Sequence, residues 1–169
     1  YTWTLQSHID LAKAVWLDYC ECKMIDTIAR EPLWRHLINY RCGTGHSVSF
    51  VGNVHEGPHA LNSRNTTVFK PGMIVTDEPG VYEGGVVGIR IENELECYHK
   101  ASNQYGEFLA FCPITFVPIA PSPIVPGVLS RDELDWLNAY HREVFEKLAP
   151  RLTEDERDWL AKKCAAIGA

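Results

Sequence analysis

Several familiar signals are missing from this sequence, and each absence closes off a class of function. No apolar run approaches the roughly 20 residues that a bilayer-spanning helix needs, so no membrane segment is expected. Basic residues are not in excess: 16 Lys and Arg stand against 22 Asp and Glu, a formal charge of −6. A nucleic-acid partner is therefore not expected, because phosphate recognition needs a basic face. The six cysteines form no CxxC pair and no small-scaffold spacing. They read as reduced thiols of a cytoplasmic protein, not as a disulfide framework or a zinc finger. There is no GxSxG elbow, no phosphate-binding glycine loop and no dinucleotide fingerprint. Internal repeats and low-complexity tracts are lacking too. The chain does not start with methionine or with a signal-like stretch. Its opening YTWTLQSHIDLAKAVW reads as the inside of a helix, so a fragment of a longer protein is expected.

What is present is an ordinary globular composition, 46% hydrophobic and 22% charged over 169 residues, enough for one domain with a real core. Apolar spacing predicts a helix over about Thr2–Trp16 and a second over about Met24–Ile38, kinked or broken near Arg30 by Pro32. His8 lies one position off the first apolar stripe, where pattern alone makes it a half-buried surface histidine. A strand is expected around His46–Phe50, an irregular surface loop over His59–Pro71, and a strand over Met73–Thr76. Glu83-Gly84-Gly85 reads as a hairpin tip. Gly88–Tyr98 alternates, with Ile89, Ile91, Leu95 and Cys97 on one face and Arg90, Glu92, Glu94 and Glu96 on the other. Another strand follows over Phe108–Val117, with Pro113 marking an edge or bulge. Two capping boxes, Ser130 with Glu133 and Thr153 with Glu156, open two final helices, the first closed by Pro150 and the second reaching about Ala166.

The chemistry concentrates between Gly43 and Glu96. GTGHSVSFVGNVHEGP places His46 and His55 nine residues apart among glycines and β-branched residues. DEPG then offers Glu78 at a proline turn, and GIRIENELE offers Glu92. One imidazole and two carboxylates from separate segments suit a hard or borderline cation such as manganese. Three such ligands hold one ion weakly, and a two-metal hydrolase site uses more bridging carboxylates. His55 is the natural proton carrier, because histidine is the side chain whose unperturbed pKa lies in the working range. A rival reading makes Cys42 a nucleophile with His46 or His55 as its base, though a buried inert thiol is the commoner outcome. For the charged face carrying Glu92, simple solvation is likewise the bland alternative.

These motifs, taken in order, resemble the aminopeptidase P branch of the M24 metallopeptidases. The resemblance runs through GTGHSVSFVGNVHEGP, PGMIVTDEPGVYEGG and GIRIENELE, and extends to LQSHIDLAKAVW, FCPITFVPIA and DELDWLNAYHREV, nearly the whole chain. It implies an α+β architecture, the second half of a pita-bread fold (residues 1–120) with antiparallel sheet and helices on one face, plus a C-terminal extension of two helices (121–169). It implies hydrolysis of the bond between an N-terminal residue and a following proline, a divalent-metal site with two Mn2+ in the complete protein, and a homodimer. On matching positions His46, Glu78 and Glu92 become metal ligands. His8 and His55 become active-site histidines that contact substrate, and Arg90 and Tyr82 brace the site. Two departures stand out. The other two ligands of the family are aspartates upstream of the first helix, so the metal site in this chain is expected to be incomplete, with an acidic cleft and a sheet edge left uncovered. Cys42 occupies the position of the first histidine of HGTGH, which contributes to the substrate pocket, and Ser47 and Ser49 replace common glycines. Two alternatives remain: an M24-fold module that binds peptides or proteins without catalysis, and a prolidase acting on Xaa-Pro dipeptides.

Overall fold

The chain opens with helix α1, Thr2–Ala12, whose Leu5, Ile9 and Leu11 have no exposed surface. The helix stops four residues short of the expected Trp16. A strand, β1, takes over at Val15–Leu17. Val15 and Trp16 are β-branched and aromatic, and both types pack better on a pleated surface. Trp16 lies opposite Leu109 and its ring packs 4.5 Å from that of Phe111. The helical spacing that included Trp16 was fortuitous.

Helix α2 runs without a break from Cys22 to Trp34, with Pro32 inside it. It ends ahead of the expected Ile38 because Leu37 turns to φ 58 and is almost wholly exposed. In place of the expected strand His46–Phe50 there is only β2, Gly45–His46, paired with β3, Ala60–Leu61. The stretch 59–71 is an irregular, partly exposed loop as expected, but it begins with β3 and buries His59, Leu61 and Phe69. Next come β4 (Ile74–Asp77), β5 (Gly80–Glu83), β6 (Val87–Arg90), β7 (Asn93–Asn103) and β8 (Gly106–Pro113). The principal sheet is antiparallel in the order β1-β8-β7-β4. β5 and β6 form a separate hairpin around the expected Gly84-Gly85 tip. The alternating run Gly88–Tyr98 is therefore two strands, and Ile91 and Glu92 are the joint between them. Alternation predicts face, not continuity, and it survives across a break of two residues.

The core of this unit is aromatic. Phe69, 1% exposed, stands edge-on to Trp16 at 5.8 Å, to Phe111 at 5.2 Å and to His59 at 5.5 Å. His59 Nε2 in turn donates to the carbonyl of Ile74, the first residue of β4.

The described residues of this computed structural model, 1–168, divide into two compact units. One is Trp3–Thr115; the other joins Tyr1–Thr2 to the stretch from Phe116 onward. In the second, α3 (Arg131–Leu148) starts with the expected capping box: Ser130 Oγ accepts from the Glu133 amide, and Glu133 Oε2 accepts from the Ser130 amide. Thr153 and Glu156 cap α4, Glu154–Lys163, in the same way. Leu134, Leu137, Tyr140 and Val144 bury the inner face of α3. Among the described residues no helix is long and apolar enough to cross a membrane.

His141, also on that face, has no exposed surface. Its Nε2 accepts from the amide of Ile119 at 3.1 Å, so the proton sits on Nδ1. Burial holds its pKa below the ordinary 6.5. The unfolded chain therefore protonates first as pH falls. Stability conferred by His141 is complete above pH 6.5 and declines as pH drops from there through the folded value. Thermal melts between pH 7.5 and 5 should show this acid loss, and His141→Gln should reduce its slope; identical slopes would refute it.

Candidate metal and proton-transfer site

The loop that presents His46 is held from below. Asp26 on α2 accepts from Arg30 Nε at 2.7 Å and from the Thr44 hydroxyl. Arg30 spends its remaining donors on the carbonyls of Tyr40 (2.9 Å) and Cys42 (3.0 Å), with its guanidinium 4.2 Å from the Tyr40 ring centre. A buried charge pair whose guanidinium also holds the Tyr40 and Cys42 carbonyls makes a clamp on residues 40–44. Gly45 follows, and it must be glycine. A Cβ there would lie 1.7 Å from the Thr76 carbonyl oxygen, which leaves no room for any side chain between β2 and β4. Gly45→Ala should cost roughly 1–3 kcal/mol by overpacking and displace His46. Chemical denaturation reads the first effect and Mn2+ affinity the second; a wild-type value for both would contradict the packing described.

His46 is fixed at both ends. Its amide donates to Thr76 Oγ1 at 3.0 Å, and Nδ1 donates to the Ser47 carbonyl at 3.1 Å. The bare Nε2 then faces Glu78 Oε1 at 3.2 Å. Glu78, just beyond the end of β4, is equally constrained. Its amide donates to the Thr44 carbonyl at 2.7 Å, and its Oε1 accepts from Thr76 Oγ1 at 3.0 Å. Oε2 and the Glu78 carbonyl each accept from Arg90 Nη1 at 2.6 Å. Arg90 Nε donates to the Tyr82 hydroxyl at 2.9 Å, so Tyr82 is linked through Arg90 to Glu78.

Glu92 belongs to the same electrostatic group. Burial raises its pKa and the negative charge of Glu78 adds to that, while Arg90 and His46 pull the other way. His55 is exposed, and its ring centre lies 4.0 Å from that of His46. The connecting loop folds back to place it there. The Ser49 amide donates to the Asn53 carbonyl, the Glu56 amide to the Ser47 carbonyl, and Gly52 makes the turn at φ 102.

Two expectations are revised. His8 is not a surface histidine and has no surface with which to touch a substrate: it is wholly buried. Its Nδ1 lies 3.1 Å from Asp77 Oδ2, and its Nε2 is 3.2 Å from Asn93 Nδ2. Cys42 is turned toward the Gly80 carbonyl at 3.7 Å and receives Arg90 Nη2 at 3.8 Å. It lines a cavity of about 700 Å³ beside Trp34, Asn62 and Arg64 that includes neither histidine, which disfavours a Cys–His nucleophile pair. Asp77, the first residue of DEPG, is wholly buried beside this site, and no local sequence signal announces that. Burial pushes its carboxyl up to about 6, with His8 lowering it and Glu78 and Glu92 raising it.

Among the described residues no three His, Cys, Asp or Glu side chains close around a single point. The donor chemistry nonetheless fits a cation. With Nδ1 committed to Ser47, the lone pair of His46 Nε2 meets a carboxylate oxygen, and two lone pairs at 3.2 Å call for a proton or a metal ion between them. Carboxylate and imidazole together suit a borderline divalent ion.

Comparison with known proteins places this arrangement. Residues 1–98 match metallopeptidase family M24, and residues 107–167 match the C-terminal region of peptidase M24. The chain belongs to the M24 family. It is 40% identical to a probable Xaa-Pro aminopeptidase P of Coprinopsis cinerea over 99% of its own length and 28% of that protein's. It is 42% identical to aminopeptidase P2 of Arabidopsis thaliana, covering 95% of this chain and 23% of the plant protein. It thus spans about a quarter of the length of the curated relatives it matches. The X-prolyl aminopeptidase of Caenorhabditis elegans, described as a cytosolic enzyme with a di-nuclear active site, superposes with a TM-score of 0.90 at 38% identity, over 98% of this chain and 28% of that one. The α+β architecture is accordingly the M24 pita-bread fold.

Proposed function

We propose that this chain carries part of the active site of an Xaa-Pro aminopeptidase, with His46, Glu78 and Glu92 as metal ligands. The observation that supports this most is the likeness to aminopeptidases P over nearly the whole chain, together with a His46–Glu78 pair whose facing lone pairs call for a cation. Bound divalent metal, Mn2+ in this reading, would polarise the scissile carbonyl and lower the pKa of water. Arg90 and Tyr82 keep Glu78 from rotating away. His55, exposed and against His46, carries the proton between the site and the leaving amine. Proline as the second residue accounts for a dedicated enzyme, because its tertiary amide lacks the N–H that other peptidases hold. A cytoplasmic location and a homodimer belong to the same reading.

The test is hydrolysis of Ala-Pro-Ala, Ala-Pro and Ala-Ala-Ala with Mn2+ present. It is run on this chain and on a longer form reaching the upstream aspartates that the family resemblance implies. Selective release of alanine from the proline peptide by the longer form is expected. Cleavage of Ala-Pro alone would make it a prolidase, and no cleavage by either form would favour a peptide-binding module.

A further inference from the structure

Glu78 and Glu92 lie just outside different strands, each one residue beyond the same last rung of the sheet. β4 ends at Asp77 and β7 begins at Asn93, and these two residues lie directly opposite each other. Each is the immediate chain neighbour of a carboxylate of the site. Beyond them the backbone leaves the sheet for the β5–β6 hairpin, so this is the last rung, and the last rung of a ladder is the one that frays. Opposed residues on paired strands point to the same face. Here that face meets α1, and His8 reaches down from it to bridge the pair. Its Nδ1 approaches Asp77 Oδ2 at 3.1 Å and its Nε2 meets Asn93 Nδ2 at 3.2 Å. Thr115 extends the chain: its hydroxyl donates to Asn93 Oδ1 at 2.9 Å and accepts from the Glu94 amide at 3.0 Å. His8, Asp77 and Asn93 are 0%, 0% and 3% exposed. Three polar side chains out of contact with water are held to one arrangement, because any other leaves a buried group without its partner.

The mechanics follow from the alternation. With residues 77 and 93 turned toward α1, the next residue outward on each strand, Glu78 and Glu92, turns to the opposite side, where His46 and Arg90 face Glu78. Spreading the 77–93 rung would spread the two carboxylates with it.

We propose that His8, Asp77 and Asn93 form a buried clamp that sets the separation of Glu78 and Glu92, making them positioning residues for the metal site and not groups that touch substrate. The proposal rests on the assignment of Glu78 and Glu92 as ligands made above.

The experiment is a calorimetric Mn2+ titration of the unmodified protein, Asn93→Ala, Thr115→Val and Leu95→Val. Leu95 lies two residues along β7, with no exposed surface, so its variant is a control for loosening the same strand without touching the clamp. Amide hydrogen exchange at Glu78, whose N–H is bonded to Thr44, is read alongside. Asn93→Ala should weaken Mn2+ binding about tenfold, in the range known for residues that orient ligands. It should also speed exchange at Glu78, with Leu95→Val near wild type on both readouts. Thr115→Val removes one hydroxyl and keeps the shape. It should act in the same direction, severalfold, and it carries the test if Asn93→Ala does not fold. Wild-type affinity in both clamp variants would overturn the clamp, as would an equal loss in Leu95→Val. If neither the unmodified protein nor the longer form reaching the upstream aspartates binds Mn2+, the ligand assignment fails first and the clamp falls with it; if only the longer form binds, the same variants are read in it.

Discussion

Glu78→Gln should abolish Mn2+ binding while leaving the fold in place. Glu78 is the one side chain that every other part of the site addresses: His46, Thr76 and Arg90 all converge on its two oxygens. Glutamine keeps the length, but its one amide oxygen can replace only one of the two acceptors that serve Thr76 and Arg90, it offers no anion to a cation, and it opposes Arg90 with no charge. A residue that only orients a ligand costs up to about 100-fold in metal affinity, and loss of a ligand should cost at least that. The effect on stability should be small. The pair is partly exposed, 29% for Arg90 and 17% for Glu78, and such pairs contribute about 1 kcal/mol or less. Calorimetric Mn2+ titration and thermal melting, run together, separate the two. A variant that binds Mn2+ as the wild type does would remove Glu78 from the ligand set.

The largest loss of stability is expected at Phe69. Its ring is 1% exposed and is the hub of Trp16, His59 and Phe111. Removing a buried phenyl ring costs about 3–5 kcal/mol through lost transfer energy and the cavity left behind. For a unit of this size that corresponds to a fall in Tm on the order of 10–20 °C. The damage should reach the site, since His59 packs on Phe69 and also holds the first residue of β4, the strand that leads to Asp77. Circular dichroism melts of Phe69→Ala check this. A shift of only 1 or 2 °C would mean that the aromatic cluster is not the core of the unit.

How much was legible beforehand depended on the range of the interaction involved. The capping boxes at Ser130 and Thr153 were readable because both partners lie within three residues. His46, Glu78 and Glu92 could be picked out because glycine, proline and strand alternation announce them locally, and family resemblance supplied the role proposed for them. Arg90 and Tyr82 were singled out from the same source, and the structure joins them by hydrogen bonds to each other and to Glu78. His8 was misread because its role depends on partners 69 and 85 positions away, and nothing in the helix pattern distinguishes an imidazole facing water from one facing Asp77. Trp16 fitted a helical stripe by coincidence; a partner strand more than 90 residues later decided its conformation. The break at Ile91–Glu92 was hidden because alternation continues through it. The Asp26–Arg30–Tyr40 support under the GTGH loop went unnoticed for the same reason as His8: its ends are brought together only by the fold.

One measurement bears most directly on the assignment of this chain to metal chemistry: a Mn2+ titration followed by the electron paramagnetic resonance of the free aqua ion, comparing the unmodified protein with His46→Ala. His46 is exposed enough to be replaced without disturbing the core, at 19% side-chain exposure, and its Nε2 is the only imidazole nitrogen described as facing Glu78. Loss of free-ion signal with the unmodified protein, and its return in His46→Ala through at least about tenfold weaker binding, is the predicted result. Equal signal loss in both proteins would mean that Mn2+ binds elsewhere. That would contradict the site built around His46, Glu78 and Glu92.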